Sequence, residues 1–509
     1  MLARKSALVF FAGLASAFLG YLGILAIARL TPNAEEILGF VGFGIGLVGS
    51  FFVLTGLGIP AAHVKRVSEG EPLAESIGAF VIIRGVQVLL AVVATLVAVQ
   101  VWTSVLGRGF ETPLHLQLVY LMIPYYVFLS LAGIGTTTFL ARMEPARSQS
   151  LDIVNTVVRV AGMLVVALVG LGAIALAWAY VAAAVAMAAM ALLLLRTYPI
   201  ARPRRRLTRS YLRFASPLAL PALLAGLSIN IDKALIQLFW GVSEVGYYFT
   251  VQQILRILTL LTSAVSLMLF PALSKHHARN ELDRVRLKSR QSERYLSMIL
   301  APIVAFMFLY AEGVIHVLLS DAFLPAANIL RIFVVATFVI ALIVPRRAIL
   351  TGMDRSDLAG IAALGGAVVT LGLYPLLIPT SIFGVPLAGL GPEGAAAAVL
   401  VGSSVFLGLA VFFAHRLVGD RLAGRLILHV GAAVAVAFVF FLVIPPASGL
   451  EWRWFELIAF SAAFLLAYVG ILAGLREFRK ADLRLFLDLL NPRKMARYVS
   501  GELRENEFK

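Results

Sequence analysis

The chain has 509 residues, of which 61% are hydrophobic and 14% charged, with a net charge of +16 and no cysteine. Soluble domains run near about 45–50% apolar and about 25% charged, so a mean hydropathy of +0.94 excludes a soluble single-domain protein. The missing cysteines exclude a disulfide framework, a thiolate metal site and a cysteine nucleophile.

The apolar excess falls in runs of about 20 residues, the length of a helix that crosses a hydrocarbon core roughly 30 Å thick. Arg4 and Lys5 precede the first run, 6–28. It is longer than the roughly 7–15 apolar residues of a signal peptide, so it reads as a retained span. Further spans are expected at 37–60, 77–101, 116–140, 152–171, 173–195, 214–240, 246–271, 295–319, 329–350, 359–383, 394–414, 427–447 and 454–475. The fold class that follows is an all-α polytopic membrane protein of about 14 transmembrane helices.

With the N-terminus inside, 35 of the 43 Lys and Arg fall on inner loops, tails and the inner end of span 329–350. This bias predicts cytoplasmic N- and C-termini in a multi-pass protein of the cell membrane. It also accounts for the net charge without any nucleic-acid partner. The stretches 196–213 and 274–294 are the most basic inner loops. They read first as topology signals lying on anionic headgroups, with lipid phosphates or a protein partner as the alternative. The tail REFRKADLRLFLDLLNPRK has the pattern of an amphipathic interfacial helix that stops near Asn491 and Pro492. The outer loops are too short to form a catalytic domain, so an enzyme is not expected. The seven histidines show no ligand spacing, and neither a metal nor a cofactor is expected.

A repeat is visible. IARLTPNAEEILGFV and GLGIPAAHVK in the first pair of spans match LFWGVSEVGYY and SLMLFPALSK in spans seven and eight. Each copy has an acidic turn, a Gly opening the next helix (Gly39, Gly246), then Pro-Ala and a Lys at the inner end (Pro60 to Lys65, Pro271 to Lys275). An even number of spans separates the copies, so they run in the same direction. This is a parallel pseudo-repeat about an axis along the membrane normal, as in transporters with a site between halves. The expected organisation is an N-terminal lobe of six helices at 1–200, a basic linker at 201–213 and a C-terminal lobe of six helices at 214–415. An extra helix pair at 416–475 and a cytoplasmic tail at 476–509 complete it.

Charges inside spans are costly, about 2.5–3.5 kcal/mol at a helix centre, and mark functional candidates. Arg84, Arg159, Lys233, Arg256 and Arg331 fall there, with Asp152 and Asp232. Arg331 sits at an outer end where it can snorkel, and Arg84 is two turns from an inner end. Arg256 is near mid-span on a polar stripe with Tyr248, Gln252, Thr259 and Ser263. Asn230, Lys233 and Gln237 form a second stripe, and Asp152, Asn155 and Arg159 a third. The stripes suit a water-filled cationic cavity lined by Arg256, Lys233, Arg159, Arg84, Asp232, Gln252 and Asn230. The alternative is structural ion pairing, Asp232 with Arg256 or Asp152 with Arg159, and for Asp152 the pairing is preferred.

The order of ARLTPNAEEILGF, GLGIPAAHVKRVSEG, IDKALIQLFWGVSEVGYYFTVQQI, FPALSK, AEGVIHVLLSDAFLPAANILRIF, RRAILTGMDRSD and FGVPLAGLGPEGAAAAVLVG resembles the Wzx-like polysaccharide flippases. These belong to the multidrug/oligosaccharidyl-lipid/polysaccharide exporter superfamily. The likeness covers about 1–415. The first outer turn departs from the family's compact Leu-Gly-Pro pattern, which puts the role of Arg29 in doubt. The resemblance implies two six-helix lobes around a cavity open alternately to each side. It implies transport of a polyprenyl-linked (pyro)phosphate sugar from the inner to the outer leaflet, with no covalent chemistry. The implied partners are this anionic glycolipid and membrane lipids, with glycan-assembly enzymes as further candidates; a monomer is expected. A drug or cation antiporter of the same superfamily would want unpaired carboxylates in the N-terminal lobe. A membrane glycosyltransferase or polymerase would want acidic residues in a sizeable outer loop. A phospholipid scramblase or lipid II-type flippase is the remaining alternative.

Overall fold

The computed structural model describes residues 2–107, 110–445 and 453–477. Each expected span has a helical counterpart. The first half of the chain holds α1 (Leu2–Leu30), α2 (Ala34–Phe52), α3 (Ile59–Ser68), α4 (Leu73–Val101), α5 (Pro113–Ala141), α6 (Pro145–Val169) and α7 (Ala173–Leu195). The second half holds α8 (Arg205–Phe239), α9 (Val242–Ala278), α10 (Leu282–Leu309), α11 (Ala311–Leu318), α12 (Ala327–Gly352), α13 (Ser356–Leu377) and α14 (Gly391–Val418). The pair α15 (Gly424–Val443) and α16 (Trp454–Gly474) follows. Among the described residues, 13 helical stretches are long and apolar enough to cross a membrane. α9 runs beside them as the counterpart of the eighth expected span. The expected tail helix beyond Glu477 lies outside the described residues, as do Arg108 and the side chain of Ser263.

Three spans differ from their sequence outline. The second is broken: α2 ends in a 3-10 turn at Val53–Thr55, and Leu57 and Gly58 take positive φ before Pro60 restarts the helix. Glycine tolerates that region at no cost and proline suits the first helical turn. The ninth is split at Tyr310 between α10 and α11. The eleventh stops at Leu377, and the chain then forms a small hairpin, Ser381–Ile382 against Val385–Pro386. Phe383 and Gly384, both at positive φ, make its two-residue turn.

α8 also starts earlier than its apolar run suggests. The strand of linker before it is strapped to α4, with Ala201 N–H donating to the Ala74 carbonyl at 3.0 Å and Arg204 paired with Glu75 at 3.3 Å. Leu207, Tyr211 and Ala215 then bury against Ile59, Phe80 and Leu151. The first turns of α8 therefore pack with α3 and α4, while its later turns pack on α2, α9 and α13.

At the expected outer end the halves meet backbone to backbone. A Cβ on Gly39 would overlap the Val242 carbonyl, and a Cβ on Gly246 would overlap the Glu35 carbonyl. Gly39 and Gly246 are the matching glycines of the repeat, and Glu35 and Val242 each lie four residues before them. The contact is thus reciprocal: α2 and α9 cross through the same position of each copy. Arg29 adds a second tie, donating to the His316 carbonyl at 3.1 Å and to that of Val317. Towards the other end the helices diverge, α3 packing on α4, α5 and α8, and α9 on α10, α12 and α14.

Candidate functional site

The break in the second span frees backbone groups at membrane depth, where water cannot satisfy them. Gly56 N–H bonds the Val53 carbonyl at 2.9 Å, Ile59 N–H bonds Gly56 at 3.0 Å, and the Thr55 hydroxyl bonds Phe52 at 2.8 Å. The remaining Thr55 carbonyl accepts from Arg84, whose guanidinium lies over the Phe80 ring at 5.1 Å. Arg84 is 6% exposed. Its charge is placed against a helix end, the electronegative pole of α2.

Asp232 and Lys233 are equally buried, at 1% and 4% exposure, and they pair with each other at 2.9 Å. The Lys233 ammonium also donates to the Ile229 carbonyl at 2.9 Å. The second Asp232 oxygen accepts from Tyr248 at 2.7 Å and from Gln252 at 3.3 Å. Asn230 bonds back to the Gly226 carbonyl at 2.8 Å. Gly46 and Gly49 of α2 leave the room that Lys233 and Asn230 occupy between the halves. The sequence-level pairs Asp232 with Arg256 and Asp152 with Arg159 do not form among the described residues.

Arg159 and Arg256 are different. Neither guanidinium has a hydrogen-bond or ion-pair partner among the described residues. Arg159, on α6, lies over the Tyr180 ring of α7 at 5.5 Å. Tyr180 in turn meets Tyr125 of α5 edge-on at 5.7 Å, and Tyr125 meets Tyr126 at 5.0 Å. Arg256, on α9, lies near enough to act electrostatically on the Tyr125 and Tyr180 phenols, as Arg159 does, and on Asp152. Arg256 and Asp152 are exposed although both lie inside spans. An exposed charge near mid-span, as Arg256 is, calls for water rather than lipid beside it, whereas Asp152 stands at the edge of its span.

Composition hid several buried polar groups. Arg346, 1% exposed, pairs with Glu293 and lies 3.7 Å from Asp420, while its neighbour Arg347 is exposed. Glu293 also accepts the Ala423 N–H, so this cluster fixes the chain entering α15. His63 bridges Tyr211 and Thr138 at 3.0 and 3.1 Å. Gln237 meets His115 at 3.0 Å. Arg331, half-buried, donates from one Nη to both Glu312 carboxylate oxygens at 2.6 Å.

Comparison with known proteins agrees with this architecture. A family model described as polysaccharide biosynthesis protein matches residues 26–328. The chain is similar to the probable low-salt glycan biosynthesis flippase Agl15 of Haloferax volcanii, 23% identical over 377 residues, covering 74% of this chain and 78% of that protein. Its fold is similar to the lipid II flippase MurJ in an inward closed conformation, with TM-score 0.70 and 14% identity over 91% of this chain and 98% of that one. An inward-facing multidrug resistance MATE transporter of the MOP superfamily gives TM-score 0.61 and 13% identity over 81% of this chain and 98% of that one. These likenesses fit the all-α polytopic transporter that the sequence leads one to expect. The chain belongs to the polysaccharide biosynthesis protein family.

Proposed function

We propose that this protein is a flippase for lipid-linked glycan precursors. It moves a polyprenyl-linked (pyro)phosphate sugar from the inner to the outer leaflet of the cell membrane by alternating access. It works without covalent chemistry, and both its termini face the cytoplasm. The feature that carries this reading is that two guanidinium groups from opposite halves, Arg159 over the Tyr180 ring and Arg256 on α9, act on the same tyrosines without a hydrogen-bond or ion-pair partner among the described residues. Two cations with one carboxylate, Asp152, acting on Arg256 leave a net positive charge that attracts an anionic headgroup. The lipid tail stays in the bilayer while the headgroup occupies the space between the halves.

The reading divides the predicted cations into two roles. Arg159 and Arg256 hold the anion. Arg84 and the Asp232–Lys233 pair hold the helices that surround it, with Gln252 and Asn230 supporting that pair. The halves rock about the headgroup, closing at Gly39 and Gly246 on the outer side as they open on the inner. Glycan-assembly enzymes acting on the same lipid are candidate neighbours, and the transport unit is a single chain.

Deletion followed by lipid extraction tests the function. Lipid-linked oligosaccharide accumulates on the cytoplasmic leaflet if the proposal holds. Unchanged lipid-linked pools together with new sensitivity to cationic dyes would favour a cation antiporter instead.

A further inference from the structure

We propose that Asn155 and Arg159 form a phosphate-binding fork on α6 that stays with one half of the molecule throughout the transport cycle. This deepens the flippase reading and rests on it. The two residues are four positions apart on one helix, so their side chains stack on one face. Asn155 Nδ2 and Arg159 Nε are both buried and neither has a hydrogen-bond partner. Buried donors are nearly always bonded. Two neighbouring donors on the same face that are covered yet unpartnered match one shared acceptor with several lone pairs, which reaches them when the covering groups part.

The environment selects an ionised acceptor. A hydrogen bond from a guanidinium to an oxyanion is roughly twice as strong as a neutral one. Asp152, the carboxylate on the same stripe, is exposed and makes no ion pair with Arg159 among the described residues. The guanidinium is held from below by the buried Tyr180 ring at 5.5 Å. On the α1 side an Arg159 Nη lies beside Gly20, where a Cβ would make ordinary contact at 3.5 Å. A phosphate suits this donor set, and the Tyr125 and Tyr180 phenols and Arg256 are near enough to act on the same charge.

The residues of the fork lie on α6, which packs on α1, α5 and α7. Their mutual geometry is therefore fixed as the halves rock. Arg256 belongs to α9 in the other half, and its distance to the fork changes. A ligand shifts a conformational equilibrium only through contacts that differ between the states. The fork supplies constant affinity, and Arg256 supplies the difference that couples the headgroup to closure.

The test uses the full chain in lipid nanodiscs with three probes: undecaprenyl phosphate, neutral undecaprenol and inorganic phosphate. Wild type binds undecaprenyl phosphate more tightly than undecaprenol and than inorganic phosphate. Asn155→Leu weakens undecaprenyl phosphate roughly 10- to 100-fold, the equivalent of one hydrogen bond to a charged group. Asn155→Asp gives Arg159 its own carboxylate and abolishes the preference for phosphate. Undecaprenol binding is unchanged in both variants, which reports an intact fold. A wild-type preference retained in both variants overturns the fork. Equal binding of inorganic phosphate and undecaprenyl phosphate overturns its assignment to a lipid headgroup. No preference in the wild type itself overturns the flippase reading instead.

Discussion

The two copies of the repeated hairpin, α1–α3 and α8–α9, begin alike and end differently. From the crossing glycine to the proline the first copy runs 21 positions, Gly39 to Pro60, and the second 25, Gly246 to Pro271. The difference is about one helical turn. The second copy uses its extra turn to continue as one helix, α9, of 37 residues. The first replaces the turn with a 3-10 segment and two left-handed residues, which gain more length per residue than an α-helix. The break creates a backbone debt at membrane depth that Arg84 settles, whereas the second copy carries a cation, Lys233, neutralised by its own neighbour Asp232. A charge in an apolar span is thus no sign of a ligand until its partner is known. Arg159 and Arg256, which lack such partners among the described residues, lie on α6 and α9.

That contrast can be tested by removing partners. The largest stability effect is expected for Asp232→Asn, which leaves Lys233 buried and unpaired at a cost of about 3–5 kcal/mol, while Asp232→Leu with Lys233→Met costs less, about 1–3 kcal/mol for the stranded donors of Tyr248 and Gln252. Thermal unfolding in detergent, with the double variant as control, would expose the pair as dispensable for packing if the two variants melted alike. Next are Arg159→Ala and Arg256→Ala. Each should lower glycan export about 10- to 100-fold, from the loss of a charged hydrogen bond worth about 1.5–3 kcal/mol, with the amount of membrane protein unchanged. Wild-type export in both would remove the anion site. Arg84→Leu should destabilise by about 1–3 kcal/mol, the cost of an unsatisfied buried carbonyl, and show as a lower melting temperature. The smallest effect belongs to Leu57→Gly, which relieves a positive φ and should raise stability by up to about 1–2 kcal/mol. A loss of stability there would show that the Leu57 side chain matters more than its backbone strain.

The sequence made the helices legible because about 20 apolar residues in a row have few other uses. It also showed the repeat, down to the glycines that cross. It could not assign the charges. Asp152 and Arg159 are seven residues apart, roughly 10 Å along a helix, too far for the pair that their shared stripe suggested. Lys233 pairs with an adjacent residue, a spacing at which helical side chains do not normally face each other. Arg84 bonds a carbonyl that exists as a free acceptor only because α2 breaks, and the break is a tertiary outcome of the Gly-Leu-Gly-Ile-Pro run. Arg346 and Arg347 are indistinguishable as neighbours in the chain, yet one is buried with Glu293 and the other faces out. The tyrosines around Arg159 carried no signal of their own, since aromatic residues are common in membrane helices.

The reciprocal crossing of Gly39 and Gly246 has an electrical consequence. Main-chain contact leaves no room for a hydrated ion between α2 and α9, and a water-filled site at Arg256, as proposed, would carry the cytoplasmic potential deep into the protein. In the proposed orientation most of the membrane voltage then falls across the thin layer that α2 and α9 seal. A headgroup at Arg159 and Arg256 stands at the edge of that layer, and each negative charge carried outward across it gains about 2.3 kcal/mol per 100 mV. An insulating seal made from two glycines would let the resting potential of the cell help to drive the anion out.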